Sequence, residues 1–306
     1  MISLPILTQP STAPSLADKA RSAVDNLSNA FPARYTPVPQ PSETRQVMGF
    51  FTDSTLCIGC KACEVACKQW NQLPADGMKF TGYSYDNTGH LSATTWRHVA
   101  FKEKIADDGS DSSRLLMLSD VCKHCEQAPC QHACPTGAII YNQFGDVYVQ
   151  NDICNGCGYC IAACPFGVLD RADDPHDDGH AHKCTLCMDR QEDGLTPACA
   201  KSCPTSSIQF GPIGALRETA RRRLEDLQSR GNSQAYLYGC DSVGDYGPLN
   251  SFFLLQEHPN EYNLPEAPPQ PFRGQAKRYV ASLAVGAALS LLSAVLFSAK
   301  GANHGR

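Results

Sequence analysis

The apolar run that opens residues 47–53, VMGFFTD, predicts a short strand leading into a cysteine-rich loop. Residues 94–104 and 114–119, rich in strand-forming and apolar side chains, predict a hairpin turning at Asp107, Asp108 and Gly109. Residues 138–141 and 146–149, joined through 143–145, predict a second and tighter hairpin. The period becomes helical over residues 215–230. There Leu216, Ala220, Leu224 and Leu227 share one face, charges fill the others, and Gly231 ends the helix. Near the start, Leu16, Ala20, Val24, Leu27 and Phe31 also share a face, with Ser15 and Asp18 placed as a cap. A docking helix and a tail with nascent helix fit that arm equally well.

Residues 279–298, YVASLAVGAALSLLSAVLFS, hold no charge. As a helix they span roughly 30 Å, the thickness of a bilayer core. Lys277 and Arg278 precede them, Lys300 follows, and a proline-rich linker, residues 258–276, leads in. A transmembrane helix over 277–300 is therefore expected, with a buried soluble helix as the competing reading. Ser282, Gly286, Ser290 and Ala294 form a stripe of small residues that would let another helix approach closely. The basic flanks are nearly balanced and fix no orientation.

Cysteine content changes the picture most. The 306 residues include seventeen cysteines, an odd number, and many are nested in Cys-x-x-Cys pairs too close to staple a fold usefully. All but Cys240, read as a free thiol, fall into four groups: Cys57, Cys60, Cys63, Cys67; Cys122, Cys125, Cys130, Cys134; Cys154, Cys157, Cys160, Cys164; Cys184, Cys187, Cys199, Cys203. The third group, CNGCGYCIAACP, has the spacing of a bacterial-ferredoxin cluster run, in which the cysteine before proline ligates the neighbouring cluster. Lys68 stands where the first group would have its proline, and Gly59 keeps that loop open where amides should point at cluster sulfurs. The second group has a widened gap carrying Pro129, and the fourth an eleven-residue insertion holding Gly194 and Pro197.

The short connection between the second and third groups matches the internal symmetry of a two-cluster ferredoxin. It assigns Cys122, Cys125, Cys130 with Cys164, and Cys154, Cys157, Cys160 with Cys134. The remaining groups then pair as Cys57, Cys60, Cys63 with Cys203, and Cys184, Cys187, Cys199 with Cys67. Spacing alone also leaves four self-contained sites open. The expected fold is α+β: two ferredoxin-like dicluster units, one inserted in the other, followed by the transmembrane helix. An N-terminal arm (1–47) precedes the four-cluster domain (48–257), whose first unit is 48–120 with 183–257 and whose second is 121–182. Structural zinc is the rival for the cysteines, though zinc needs no third Cys-x-x repeat.

Other chemistry is thin. The net charge of −5 suggests no nucleic acid. No glycine-rich dinucleotide turn, phosphate loop or zinc-protease helix occurs, so no catalytic residue is assigned. Arg97 and His98 read as ordinary surface residues, and His124 and His132 as groups around the cysteines or on the surface. The acidic stretch 172–182 reads as a solvated loop. The start, MISLPILTQP, is a poor signal peptide, and no twin-arginine pair occurs there.

The four groups, the widened and expanded gaps and the stretch CIGCKACEVACKQWNQLP resemble the four-cluster iron-sulfur subunits of molybdopterin oxidoreductases. The beta subunit of membrane-bound formate dehydrogenase is the nearest match in look, over residues 49–265, including AYLYG and LLQEHPNEYNLP. The long arm and the acidic insert are departures. The resemblance implies four [4Fe-4S] clusters and a relay of electrons, the chain not being an enzyme on its own. Its implied partners are a molybdenum or tungsten pterin catalytic subunit oxidising formate and a membrane subunit bearing heme b or reacting with quinone. A single-pass place in the cytoplasmic membrane, with the cluster domain towards the periplasm, goes with it. The equivalent subunit of a nickel-iron hydrogenase shares the motifs and is the alternative; nitrate reductase types tend to replace one cysteine with tryptophan, whereas all sixteen are present here.

Overall fold

Strand β1 (Met48–Asp53) is the centre of the largest sheet, because its phenylalanines are wanted on both faces. Phe50 and Phe51 are both fully buried. A computed structural model describes residues 46–302 apart from 76, 78–81, 83–84, 106–112, 172–178 and 269–274, together with Ser15 and Ser22. Side chains of the C-terminal helix are described for 279–294. The expected arm helix, the turn at Asp107–Gly109, most of the acidic insert and part of the linker lie outside these residues.

The chain divides into two units, residues 37–271 and a second formed by 1–36 with 272–306. In the first, β1 pairs antiparallel with β6 (Ile208–Pro212) and parallel with β8 (Ser251–Leu255), and β8 pairs antiparallel with β7 (Tyr236–Tyr238). Strand β8, SFFLL, is buried at every position, as a strand covered on both faces must be. Phe51 stacks on Phe252 at 5.3 Å and Phe50 meets Phe210 edge-on at 5.8 Å. The expected helix is present as α6 (Ile213–Ser229), which lays Leu216 and Ala220 against the sheet; Gly231, at φ +96°, follows its end.

Both expected hairpins form. Strands β2 (Arg97–Lys104) and β3 (Arg114–Val121) pair from Arg97↔Val121 to Lys104↔Arg114, so β3 runs two residues past its expected end and delivers Cys122 directly. Strands β4 (Ile139–Tyr141) and β5 (Val147–Val149) close over a turn in which Asn142 Oδ1 accepts the Phe144 and Asp146 amides. Five short helices follow the cysteine loops: α1 (Ala62–Trp70), α2 (Pro129–Ala133), α3 (Tyr159–Ala163), α4 (Met188–Glu192) and α5 (Ala198–Lys201). Trp70 ties α1 to α4: its indole donates to Asp189 at 2.7 Å, and the Arg190 guanidinium lies 4.2 Å from its ring centre.

The reading of Arg97 and His98 as surface residues is wrong. They are 1% and 4% exposed. Arg97 lies under the ring of Phe50, and His98 faces Glu64 on α1 and Asp86, so the start of β2 is packed between the large sheet and the first cysteine loop. As neighbours on a strand they point to opposite faces, and both faces of β2 are covered at its start.

In the second unit, helix α7 (Gln275–Ala302) covers the apolar stretch. Among the described residues no helix is long and apolar enough to cross a membrane. The side chains described in α7 are exposed, except for half-buried Val280.

Candidate metal centres

Strand pairing decides which cysteines meet. Cys57 follows β1 and Cys203 precedes β6; because β1 and β6 are antiparallel, with Thr52 opposite Ile208, those two loops emerge side by side. The result is a small cavity whose lining includes Cys57, Cys60, Cys63 and Cys203. The same geometry recurs in the small hairpin. Cys134 precedes β4 and Cys154 follows β5, and Ile139 lies opposite Val149. Cys160 accordingly interacts with Cys154, Cys134 and Cys157. The lining of a second small cavity includes Cys122, Cys125, Cys130 and Cys164. The last set gathers where α1 packs on α5: Cys67 is acted on by Cys199 and Cys187, and Cys184 by Cys67, Cys199 and Cys187.

These sets stand in a row. Across their boundaries, Cys63 of the first set feels Cys199, Cys184 feels Cys122, and Cys130 feels Cys160. Only Cys60 and Cys157, at opposite ends of the row, are exposed among the cysteines.

Each cavity presents four thiols, the donor set that a four-iron cluster takes. A single zinc ion would draw four sulfurs to about 2.3 Å from one centre. Among the described residues no group of three or more His, Cys, Asp or Glu is arranged for a single ion. Left-handed glycines open the loops. Gly59 and Gly156, each at φ +67°, occupy equivalent places in CIGC and CNGC. A Cβ at Gly59 would lie 2.7 Å from Met117 Sδ, and one at Gly156 would lie 2.2 Å from the Gly179 carbonyl oxygen.

Burial and mutual repulsion push the interior thiols up, Cys63 and Cys160 to about 11 and Cys187 to about 12, with Cys125 and Cys184 well above the usual range. An unligated set would therefore hold thiols, and a loaded set must release their protons. Two of the three cysteines followed by proline differ; the third, Cys164, stays raised because its burial outweighs the Val168 and Phe166 amides that reach it. Partial burial raises Cys203, yet the Ile208 amide and the Thr205 hydroxyl and amide outweigh it and hold the thiol below its ordinary value. Cys134 is likewise lowered against burial, by the Thr136 hydroxyl and the amides of Ile139, Ala138 and Thr136. Proline has no N–H of its own, and the turn it begins aims the following amides at sulfur. Cys67, followed by Lys68, lacks that turn because α1 continues through it; Asn71 Nδ2 approaches its sulfur instead, at 3.6 Å.

Of the other singled-out residues, His124 is wholly buried; burial lowers its pKa well below the ordinary value, and Nδ1 accepts the Val147 amide at 3.2 Å. Cys240 is buried away from every set, beside Asp241 and Arg221. Sequence reasoning missed two buried cations among the cysteines, Lys123 and Lys183, whose signal was their place immediately beside Cys122 and Cys184.

Comparison with known proteins bears on the same residues. Residues 56–138 and 113–213 match two family models, each described as a 4Fe-4S dicluster domain. The chain is 40% identical over 240 residues to the formate dehydrogenase-O iron-sulfur subunit of Escherichia coli (strain K12), covering 76% of each. It is 39% identical over 237 residues to the formate dehydrogenase iron-sulfur subunit of Haemophilus influenzae, covering 76% of this chain and 73% of that one. One of the chains of the anaerobic dimethyl sulfoxide reductase of Escherichia coli (strain K12) is 37% identical over 172 residues, 56% of this chain and 76% of that one. With dicluster matches spanning all four cysteine groups and identity at this level over three quarters of its length, the chain belongs to the formate dehydrogenase iron-sulfur subunits, the electron-transfer subunits of the formate dehydrogenase and molybdopterin reductase family.

Proposed function

We propose that the chain holds four [4Fe-4S] clusters in a row and passes electrons along them between two partner proteins. The ligand sets are Cys57, Cys60, Cys63 with Cys203; Cys184, Cys187, Cys199 with Cys67; Cys122, Cys125, Cys130 with Cys164; and Cys154, Cys157, Cys160 with Cys134. When bound, such clusters supply reversible one-electron chemistry at potentials set by charge, hydrogen bonding and exposure. The protein's own residues do the rest. They fix the thiolates in space, turn amides towards them after each Cys-Pro, and bury the two middle sets away from water.

The single observation behind a relay is the distribution of exposure. Cys60 and Cys157 reach the surface at opposite ends of the row, while the cysteines between are buried or half-buried. Apolar side chains surround both openings, Ile58 and Val65 at one and Ile153 and Tyr159 at the other, a surface suited to covering by protein. The partners favoured by kinship are a molybdenum or tungsten pterin subunit oxidising formate and a membrane subunit carrying heme b or reacting with quinone.

Helix α7 is proposed as a single-pass anchor in the cytoplasmic membrane, with the cluster unit on the periplasmic side. Its support is the uncharged run 279–298 and the solvent exposure of apolar residues around the helix, Tyr279, Leu283, Leu289 and Leu291 among them. A helix apolar all round needs an apolar environment. Purification of the complex from native membranes tests the partners. A large subunit containing molybdenum or tungsten pterin is expected, with formate oxidation coupled to reduction of a quinone. A nickel-iron large subunit would overturn that assignment.

A further inference from the structure

Between the first two cysteine sets lies a guanidinium with few partners. Arg97 Nη1 donates to Ser119 Oγ at 3.0 Å and to the Ser119 carbonyl at 3.3 Å, and Ser119 Oγ in turn lies 3.3 Å from Cys63 Sγ. Among the described residues its Nε and Nη2 have no acceptor, although the side chain is fully buried. The thiols that act on it are, strongest first, Cys199, Cys63, Cys184 and Cys67, drawn from both sets.

Lys183 repeats the arrangement one step along. It is 2% exposed, and its ammonium donates to the carbonyls of Val147 and of Cys184, the latter at 2.9 Å. The thiols acting on it are Cys122 and Cys130 of the third set and Cys184 of the second, with the Asp146 carboxyl a weaker neighbour. Lys123, the remaining buried lysine among the described residues, is paired with Asp120 and so has its own counter-charge.

A buried cation without a paired carboxylate is costly unless negative charge lies close by. Deprotonated thiolates around a cluster supply that charge. We propose that Arg97 and Lys183 are charge-setting residues, one in each of the first two gaps, each favouring the reduced state of both clusters that flank it. The inference rests on the four-cluster reading above. An arriving electron makes a cluster one unit more negative, and no proton moves with it. A fixed cation in a poorly polarisable interior therefore stabilises the reduced form more than the oxidised one. The effect falls with distance, so the fourth cluster feels neither residue.

The test is an EPR-monitored redox titration of the intact complex as wild type, Arg97→Met, Arg97→Lys and Lys183→Met. At a fixed potential, Arg97→Met is expected to move the reduced-to-oxidised ratio of the first and second clusters about tenfold towards oxidised, ~59 mV for a one-electron couple. Lys183→Met is expected to do the same to the second and third. Arg97→Lys, which keeps the charge and loses the planar fork, should titrate as wild type. Arg97→Met with full iron and unmoved potentials would overturn the proposal, as would an equal shift of all four clusters. Should Arg97→Met fail to retain iron, Arg97→Lys decides: wild-type potentials support the proposal, and potentials lowered by the same tenfold contradict it. Iron missing from the wild type would instead sink the four-cluster reading itself.

Discussion

Cys157→Ala is expected to stop delivery of electrons to the membrane partner while leaving the catalytic partner at work. Cys157 is the exposed cysteine at the far end of the row, so its loss removes the terminal cluster and leaves the cysteines of the other three sets in place. Iron should fall from ~16 towards ~12 atoms per chain if each set holds a four-iron cluster. Formate-to-quinone turnover should drop by more than the ~10–100-fold that changes around a metal's ligands cost, because a ligand itself is gone. Formate oxidation with a soluble artificial acceptor should stay near wild type. Paired assays on purified complex check this, and an equal loss of both activities would count against a purely conductive role.

Asp146→Asn is expected to stabilise the cluster unit at neutral and alkaline pH. Asp146 is buried in the turn of the small hairpin; burial pushes its carboxyl up to about 7, against hydrogen bonds from Gln191 at 2.8 Å and Asn142 at 3.3 Å. Its folded value lies above the unfolded one of 3.8, so the folded chain binds the extra proton between those values. The stability gained from that proton is complete below the unfolded value and is lost as pH rises through about 7. The difference corresponds to at most about 4 kcal/mol. Asparagine keeps an oxygen for both donors and never ionises. Thermal unfolding of the holo-complex at several pH values should show the variant more stable above neutrality, the gap closing as pH falls. A gap that widens in acid would contradict this account.

The cysteine groups were legible because a cluster constrains the spacing of its ligands directly, whatever fold surrounds them. Strand β1, both hairpins and α6 were legible because each is bounded by a turn signal: the cysteine loop after β1, Asp107 to Gly109 and Gln143 to Gly145 within the hairpins, and Gly231 after α6. Strand β8 was not: SFFLL is apolar throughout, so it shows no alternation, and its partner β1 lies about two hundred residues away in sequence. The helices α2 to α5 are each of five residues or fewer, too short to show a period at all. The row of cysteine sets depends on β1 pairing with β6 and β4 with β5. Those pairings follow from packing more than from any motif.

Arg97 shows a different limit. An arginine at the head of a hairpin strand has no sequence mark that separates a surface charge from a buried one. What buries it is Phe50 from a distant strand and the thiols of two loops. The Cys-Pro turns, by contrast, could be read in advance, and so could the departure at Lys68, where Asn71 brings a side-chain donor to a sulfur that has no such turn.

Iron and acid-labile sulfide, counted per chain in an anaerobically purified preparation, test the central claim most directly. The account predicts about sixteen of each, with EPR signals of several interacting four-iron centres on reduction. A colourless, iron-free protein carrying stoichiometric zinc would contradict it.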